Sequence, residues 1–300
     1  MTKKAAQSNE KLFFQRLVAA TAIMTYLLIV VGGIVRVTGS GLGCPDWPKC
    51  FGNWIPPLRV DAIIEYTHRL TATLTSPLIL ASAYFAWKKY PKENLISRPL
   101  IMTIFLLGIQ GLLGGIVVMM ETPPDLVAVH LGNALLIFAL ILLPYFSTKS
   151  LEGGGASKLE FRSKTDRLTT WTMVMIFLVL ISGAIVAGSG STYACAGWPL
   201  CNGQLIPASS YAWVHMAHRS MVLLASFLVV KLYLDTRRAP TAIAKLALTG
   251  LILFLTQAAI GAVKVMFGFN IWMLGFHVAV AAAVWAAFFS LWAKTGLQRE

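Results

Sequence analysis

Residues 32–50 read GGIVRVTGSGLGCPDWPKC, and residues 182–201 repeat the same pattern as SGAIVAGSGSTYACAGWPLC. In both copies a histidine-arginine pair follows, and one more histidine comes after the next apolar stretch. The chain therefore consists of two related halves, each with its own pair of histidines. The four histidines are His68, His130, His218 and His277.

The composition places both halves in a membrane. Of the 300 residues, 57% are hydrophobic and only 12% are charged, whereas soluble domains carry about 25% charged residues. Crossing a bilayer takes about 20 apolar residues, and stretches of that length occur eight times. The sequence thus predicts an all-α membrane protein with helices at Leu17–Val37, Ala62–Trp87, Leu100–Met120, Leu126–Phe146, Leu168–Gly188, Ala212–Leu234, Ile243–Met266 and Ile271–Trp292.

The distribution of positive charge predicts the orientation. The net charge of +13 could indicate a nucleic-acid partner, but the basic residues cluster beside membrane lipid, in the connections after helices two, four and six. By the positive-inside rule these connections and both termini are cytoplasmic. We therefore expect a multi-pass protein of the cell membrane whose cysteine-containing loops lie on the extracytoplasmic side, with no nucleic-acid partner.

The polar segment 149–167, which contains Gly153-Gly154-Gly155, divides the two halves. We expect residues 1–148 and 168–300 to form two four-helix bundles joined by this cytoplasmic linker. Because each half has an even number of helices, both run in the same direction. The sequence therefore predicts a pseudo-symmetric pair of bundles related by an axis along the membrane normal.

The four paired histidines share one depth in the predicted membrane. Counted from the outer ends of helices two, four, six and eight, each lies about 7 to 10 Å inside. Two imidazoles on facing helices can hold a haem iron from both sides, so His68 would pair with His130, and His218 with His277. A polar neighbour within the bundle could also satisfy each ring. Zinc fits less well, because two histidines leave its tetrahedral coordination incomplete.

Charged residues beside the histidines have alternative interpretations. Arg69 and Arg219 could bind haem propionates or extend to lipid headgroups. Glu65 lies one helical turn before His68, and His215 occupies the equivalent place in the second half. Glu65 could transfer protons near a haem or complement the dipole of its helix.

The cysteines recur with the spacing C-x5-C on the predicted outer side, where disulfides are permitted. Their pairs would be Cys44 with Cys50 and Cys195 with Cys201. A structural staple is the default interpretation, and exchange of electrons with a thiol partner is the alternative.

These motifs together resemble the haem A synthase family over essentially the whole chain. The likeness rests on GSGLGCPDWPKC, on the run Glu65-Tyr66-Thr67-His68-Arg69, on His130, and on the weaker second round through His218-Arg219 and His277. The resemblance implies eight helices in two pseudo-symmetric bundles. It also implies that His218 and His277 hold a haem b cofactor, that His68 and His130 bracket the substrate haem O, and that Glu65 is an essential acid.

The implied reaction oxidises the C8 methyl group of haem O to a formyl group, which yields haem A for haem-copper oxidases. A haem O synthase would supply the substrate and is a possible physical partner. The main alternative is a bis-haem membrane electron-transfer protein, and a transporter with parallel repeats is a third interpretation. A transmembrane carrier needs haems at both faces, whereas these four histidines all lie near one face.

Overall fold

The computed structural model describes residues 3–152, 158–268 and 270–297. Within those ranges it contains eight α-helices, all long and apolar enough to cross a membrane, which confirms the predicted all-α membrane fold. In chain order they are α1 (Lys3–Val37), α2 (Val60–Lys89), α3 (Asn94–Met119), α4 (Pro124–Glu152), α5 (Lys164–Gly188), α6 (Ser210–Thr236), α7 (Thr241–Phe267) and α8 (Ile271–Gly296).

Most helices extend beyond the apolar stretch that predicted them. The largest extension is at the start of α1, where the polar residues from Lys3 onward continue the helix. Polar residues are compatible with helical backbone but not with hydrocarbon, so hydropathy alone ends the prediction too early. Likewise α4 continues to Glu152 and α5 begins at Lys164, both inside the predicted linker 149–167. The glycine run 153–155 lies outside the described residues.

The start of α5 has a local cause in the sequence. The Ser163 hydroxyl accepts a hydrogen bond from the Asp166 backbone N–H, and the Asp166 carboxylate accepts one from the Ser163 N–H. This capping box satisfies backbone donors that the first turn of a helix leaves free.

Each set of four consecutive helices packs in a closed ring. In the first set α1 contacts α2 and α4, and α3 contacts the same two helices; α5 to α8 repeat this arrangement. The sets meet through α1 with α8, α4 with α5, and α4 with α8. In α4 and α8, 44% and 50% of the most apolar stretch is buried, against 17–28% in the other six helices. The centre of the protein is therefore formed by α4 and α8.

Hydrogen bonds also cross between the two sets of helices. The Tyr26 hydroxyl donates to the carbonyl of Ala279 at 3.1 Å, and the Trp285 indole N–H donates to the carbonyl of Leu135 at 2.9 Å. At the ends of α1 and α5, Arg36 donates to the Gly188 carbonyl at 2.9 Å. The last contact brings together the helix ends that lead into the two cysteine loops.

The two cysteine loops have the same local geometry. Each begins with a left-handed glycine and a short 3₁₀ turn, contains a cis Trp-Pro bond, and is closed by a disulfide. The predicted pairings are confirmed, with bonds Cys44–Cys50 and Cys195–Cys201. Because α2 and α6 start directly after these loops, the disulfides lie above the first turns of the helices that carry His68 and His218.

Candidate functional site

The four paired histidines occupy corresponding positions on the even-numbered helices. Each lies about 9 to 12 Å from the first residue of its helix, at a rise of about 1.5 Å per residue. All four helices start at the end of the molecule where the cysteine loops lie. The histidines therefore form one layer near that end, as the sequence predicts.

Each of these histidines packs against a glycine on the preceding helix. The glycines have no Cβ at the point of contact, and an added Cβ would lie 2.9 to 3.4 Å from the imidazole Cε1 atom. Such distances are shorter than ordinary van der Waals contact, so the missing side chain determines where each ring rests. The contacts are Gly32 with His68, Gly114 with His130, Gly183 with His218, and Gly261 with His277.

Other glycines of α3 do not take part in such contacts. A Cβ at Gly108 or Gly111 would meet nothing within 4 Å, whereas one at Gly115 would meet the Trp47 ring at 3.2 Å. Among the described residues, only the glycines of α3 nearest the histidine layer are in close packing contact with another side chain.

The histidines are neighbours in the predicted pairs. His68 lies near His130, and His218 lies near His277. In the part of the chain that the structure describes, no group of three or more histidine, cysteine or acidic side chains could hold a metal ion. The arrangement offers two nitrogens per site, which fits a planar macrocycle that supplies the other ligands to its metal.

Several polar atoms of the histidine layer are buried and have no hydrogen-bond partner among the residues that the structure describes. They are the Nδ1 atoms of His68, His130 and His277, one terminal nitrogen of Arg219 and the Oε1 of Gln257. Buried polar groups in proteins are nearly always paired, and unpaired ones are costly away from water. Their concentration around the two histidine pairs points to a ligand at each pair.

Glu65 and Arg69 tie the first cysteine loop to α2. The Glu65 side chain is buried, with 3% of the residue exposed; its carboxylate accepts hydrogen bonds from the Cys44 N–H and from Arg69. Arg69 also donates to loop carbonyls, at 2.8 Å to Asp46 and 2.6 Å to Lys49. Arg69 is therefore engaged by its own loop rather than left free for an external anion.

Asp46 shapes the same loop from outside the membrane-spanning segments. Its carboxylate accepts hydrogen bonds from the backbone N–H groups of Gly52 and Phe51. These bonds, and the nearby charge of Arg69, hold the pKa of Asp46 below its usual range. Its negative charge therefore stabilises the turn that follows Cys50.

The second half has a different charge distribution at the same place. His215 replaces Glu65 and is 5% exposed, with Nδ1 3.1 Å from the Ser191 carbonyl. Arg219 donates to the carbonyls of Pro199 and Leu200 at 3.1 Å, and its other terminal nitrogen is unpaired. No acid compensates this arginine among the described residues.

Lys264 adds a second positive charge to this region. It lies one turn beyond Gly261 on α7, near His215, His218 and His277. It forms no ion pair with any described acid. The sequence pattern did not single out Lys264, although a lysine within an apolar helix is itself unusual.

A family model described as COX15-CtaA, cytochrome oxidase assembly protein, matches residues 15–63 and 58–289 of this chain. The matched residues include both cysteine loops and all four paired histidines. The chain belongs to the COX15-CtaA family. This match, together with relatives named Heme A synthase, confirms the family resemblance inferred from the sequence motifs.

Curated proteins similar to this COX15-CtaA family member are named Heme A synthase. One from Shouchella clausii is 30% identical over 265 residues, which cover 84% of this chain and 86% of the relative. One from Staphylococcus haemolyticus is 31% identical over 274 residues, 87% of each protein. One from Bacillus pumilus is 33% identical over 220 residues, 71% of each.

Proposed function

We propose that this chain is a haem A synthase, a multi-pass membrane oxidoreductase that converts haem O to haem A by oxidising the C8 methyl group to a formyl group. The observation that carries this function is the layer of two histidine pairs, in a chain whose relatives share the name Heme A synthase. That shared name favours the synthase over the alternative of a bis-haem electron-transfer protein.

The proposed architecture has two pseudo-symmetric bundles, residues 1–148 and 168–300, joined by the segment 149–167. The repeated packing of α1 to α4 and α5 to α8 supports this division. The repeated seating of four histidines on four glycines supports the symmetry. Basic residues at the opposite end from the histidine layer support cytoplasmic termini and extracytoplasmic cysteine loops.

The second half fits a resident haem b. His218 and His277 would hold it, and the bond between Ser182 Oγ and His218 Nδ1, at 2.8 Å, would orient that ring with Nε2 free to bind a metal. The unpaired nitrogen of Arg219 and the charge of Lys264 suit the two propionates. When bound, haem b supplies one-electron transfer. Of the predicted propionate partners, Arg219 is thus better placed than Arg69.

The first half would take haem O as substrate, between His68 and His130. Glu65 is the proposed acid-base residue there, because it is the one buried carboxylate beside this pair among the described residues. Each of its oxygens accepts one hydrogen bond and keeps a second lone pair at which a proton can bind. Arg69 and the Cys44 N–H would hold the carboxylate in place. A haem O synthase is the proposed supplier of the substrate and a proposed partner.

Haem analysis tests the function directly. The protein is produced in cells that make haem O but lack their own haem A synthase, and the extracted haems are separated by chromatography. We expect haem A together with hydroxylated haem O. Haem b in the protein with only unchanged haem O in the cells would favour the electron carrier.

The close contact between Gly32 and His68, which we call the glycine seat of His68, gives a separate prediction. Gly32→Ala places a Cβ 2.9 Å from His68 Cε1, so the ring must shift. Since a misplacement of about 1 Å can cost about 100-fold in rate, we expect haem A formation to fall at least about tenfold while haem b is retained. Product per bound haem b, measured by chromatography, checks this expectation.

Gly111→Ala is the matched control, because it adds the same atom to a helix at a place with nothing within 4 Å. It should keep wild-type activity. Equal activity in both variants would show that the seat does not position His68.

A further inference from the structure

Gln110 on α3 bonds Nε2 of His130, one of the two imidazole nitrogens through which a histidine can bind a metal. Its side-chain nitrogen lies 2.9 Å from His130 Nε2 and 3.2 Å from the His130 carbonyl. Asn133, one turn after His130 on α4, donates to Gln110 Oε1 at 2.7 Å and to the Leu106 carbonyl at 3.0 Å. These residues form a continuous relay from a helix carbonyl to the imidazole.

The relay determines the direction of every bond in it. The Leu106 carbonyl can only accept, so Asn133 presents its NH₂ group there and to Gln110. The oxygen of Gln110 therefore faces Asn133, and its NH₂ group faces His130. Because that NH₂ group can only donate, Nε2 of His130 accepts through its lone pair. An iron atom binds imidazole through the same lone pair, so the hydrogen bond and coordination at Nε2 exclude each other.

The described residues of the second half do not form such a relay. Gln257 precedes Gly261 by the same spacing as Gln110 precedes Gly114, but the place of Asn133 is taken by the buried Val280. Without an amide donor there, Gln257 Oε1 is buried and has no hydrogen-bond partner in the described part of the chain. Among the described side chains, none therefore donates a hydrogen bond to His277 in competition with a metal. His130 does have such a donor, Gln110, whose own oxygen is hydrogen-bonded to Asn133.

We propose that Gln110, oriented by Asn133, competes with haem iron for His130 and so makes the first site exchangeable. This inference rests on the proposed function, in which the first half must release its product and the second must keep its cofactor. The relay stabilises the state in which His130 binds no metal. Haem is therefore held less tightly by the first pair than by the second. Gln110 acts as a positioning residue, since it works through His130.

The experiment uses purified protein that contains its resident haem b. Wild type and Gln110→Leu are loaded with haem O and freed of excess, and the transfer of haem O to apomyoglobin is followed by absorbance. Loss of one hydrogen bond of ordinary net strength corresponds to a change of about three- to tenfold. We expect haem O to leave Gln110→Leu about three to ten times more slowly than wild type.

Whether Gln110→Leu slows or speeds the release of haem O distinguishes competition for His130 from simple support of its ring. If Gln110 merely held the ring in place, its removal would loosen the ligand and speed release, which would overturn the proposal, as would an unchanged rate. Asn133→Val should also slow release, but should add nothing to Gln110→Leu if both residues act through one relay. Gln257→Leu is the matched control and should leave release unchanged.

Two further readouts keep the result unambiguous. The absorbance of haem b reports whether each variant is folded, independently of the first site. A wild-type protein that takes up no haem O beyond its haem b would contradict the proposed substrate site itself. If wild type instead loads haem O normally but releases it at the same rate as Gln110→Leu, the result contradicts the role of Gln110 and not the substrate site.

Discussion

Protein purified with His277→Ala is expected to contain almost no haem b. The substitution removes one of two proposed iron ligands and leaves a space between helices that are otherwise tightly packed. Loss of a coordinate bond far exceeds the roughly 1.4 kcal/mol that corresponds to a tenfold change in affinity. Haem per protein, measured as the pyridine complex, provides the test, and His218→Ala should behave in the same way.

His130→Ala is the matched comparison, because it removes the equivalent histidine from the first half. It should keep haem b at the wild-type level and form no haem A. If His130→Ala lost haem b and His277→Ala kept it, the assignment of cofactor and substrate to the two halves would be reversed.

Glu65→Gln is expected to lower haem A formation by about 100-fold or more while haem b stays bound. The amide keeps the size of the side chain and can still accept a hydrogen bond from Cys44, but it cannot exchange a proton with substrate. General acid-base groups contribute about 10²- to 10⁴-fold to rates. The yield of haem A and of hydroxylated intermediates, separated by chromatography, gives the measurement.

Asp61→Asn serves as the control, since Asp61 is on the same end of α2 but pairs with Arg59 at the surface. It should retain activity. The melting temperature of Glu65→Gln must also be compared with wild type, because Glu65 helps to tie down the cysteine loop. Wild-type turnover in a stably folded Glu65→Gln protein would exclude the residue from proton transfer.

Hydropathy and repetition account for most of what could be predicted. Stretches of about 20 apolar residues predict spanning helices because the bilayer imposes that length, and all eight are present. The repeated spacing around His68 and His218 predicts a shared layer because equal helix offsets place residues at equal depth. Hydropathy does not predict the helix extension before Leu17, because it indicates whether a segment lies in lipid or in water and not whether its backbone is helical.

The bonding within the site could not be predicted in the same way. Arg69 could be placed beside His68 from sequence, but its bonds to the carbonyls of Asp46 and Lys49 depend on how the disulfide loop folds back. The relay through Gln110 and Asn133 joins two helices whose relative rotation no periodicity specifies. Lys264 likewise becomes informative only once three histidines are seen around it.

The contacts between glycines and histidines are local in the chain. Each seat and its histidine belong to two helices that are consecutive in the chain, α1 with α2, α3 with α4, α5 with α6, and α7 with α8. Each helical hairpin can therefore fix its own imidazole as it enters the bilayer, before the later hairpins have been synthesised. Each histidine pair is then completed when two such hairpins pack against each other.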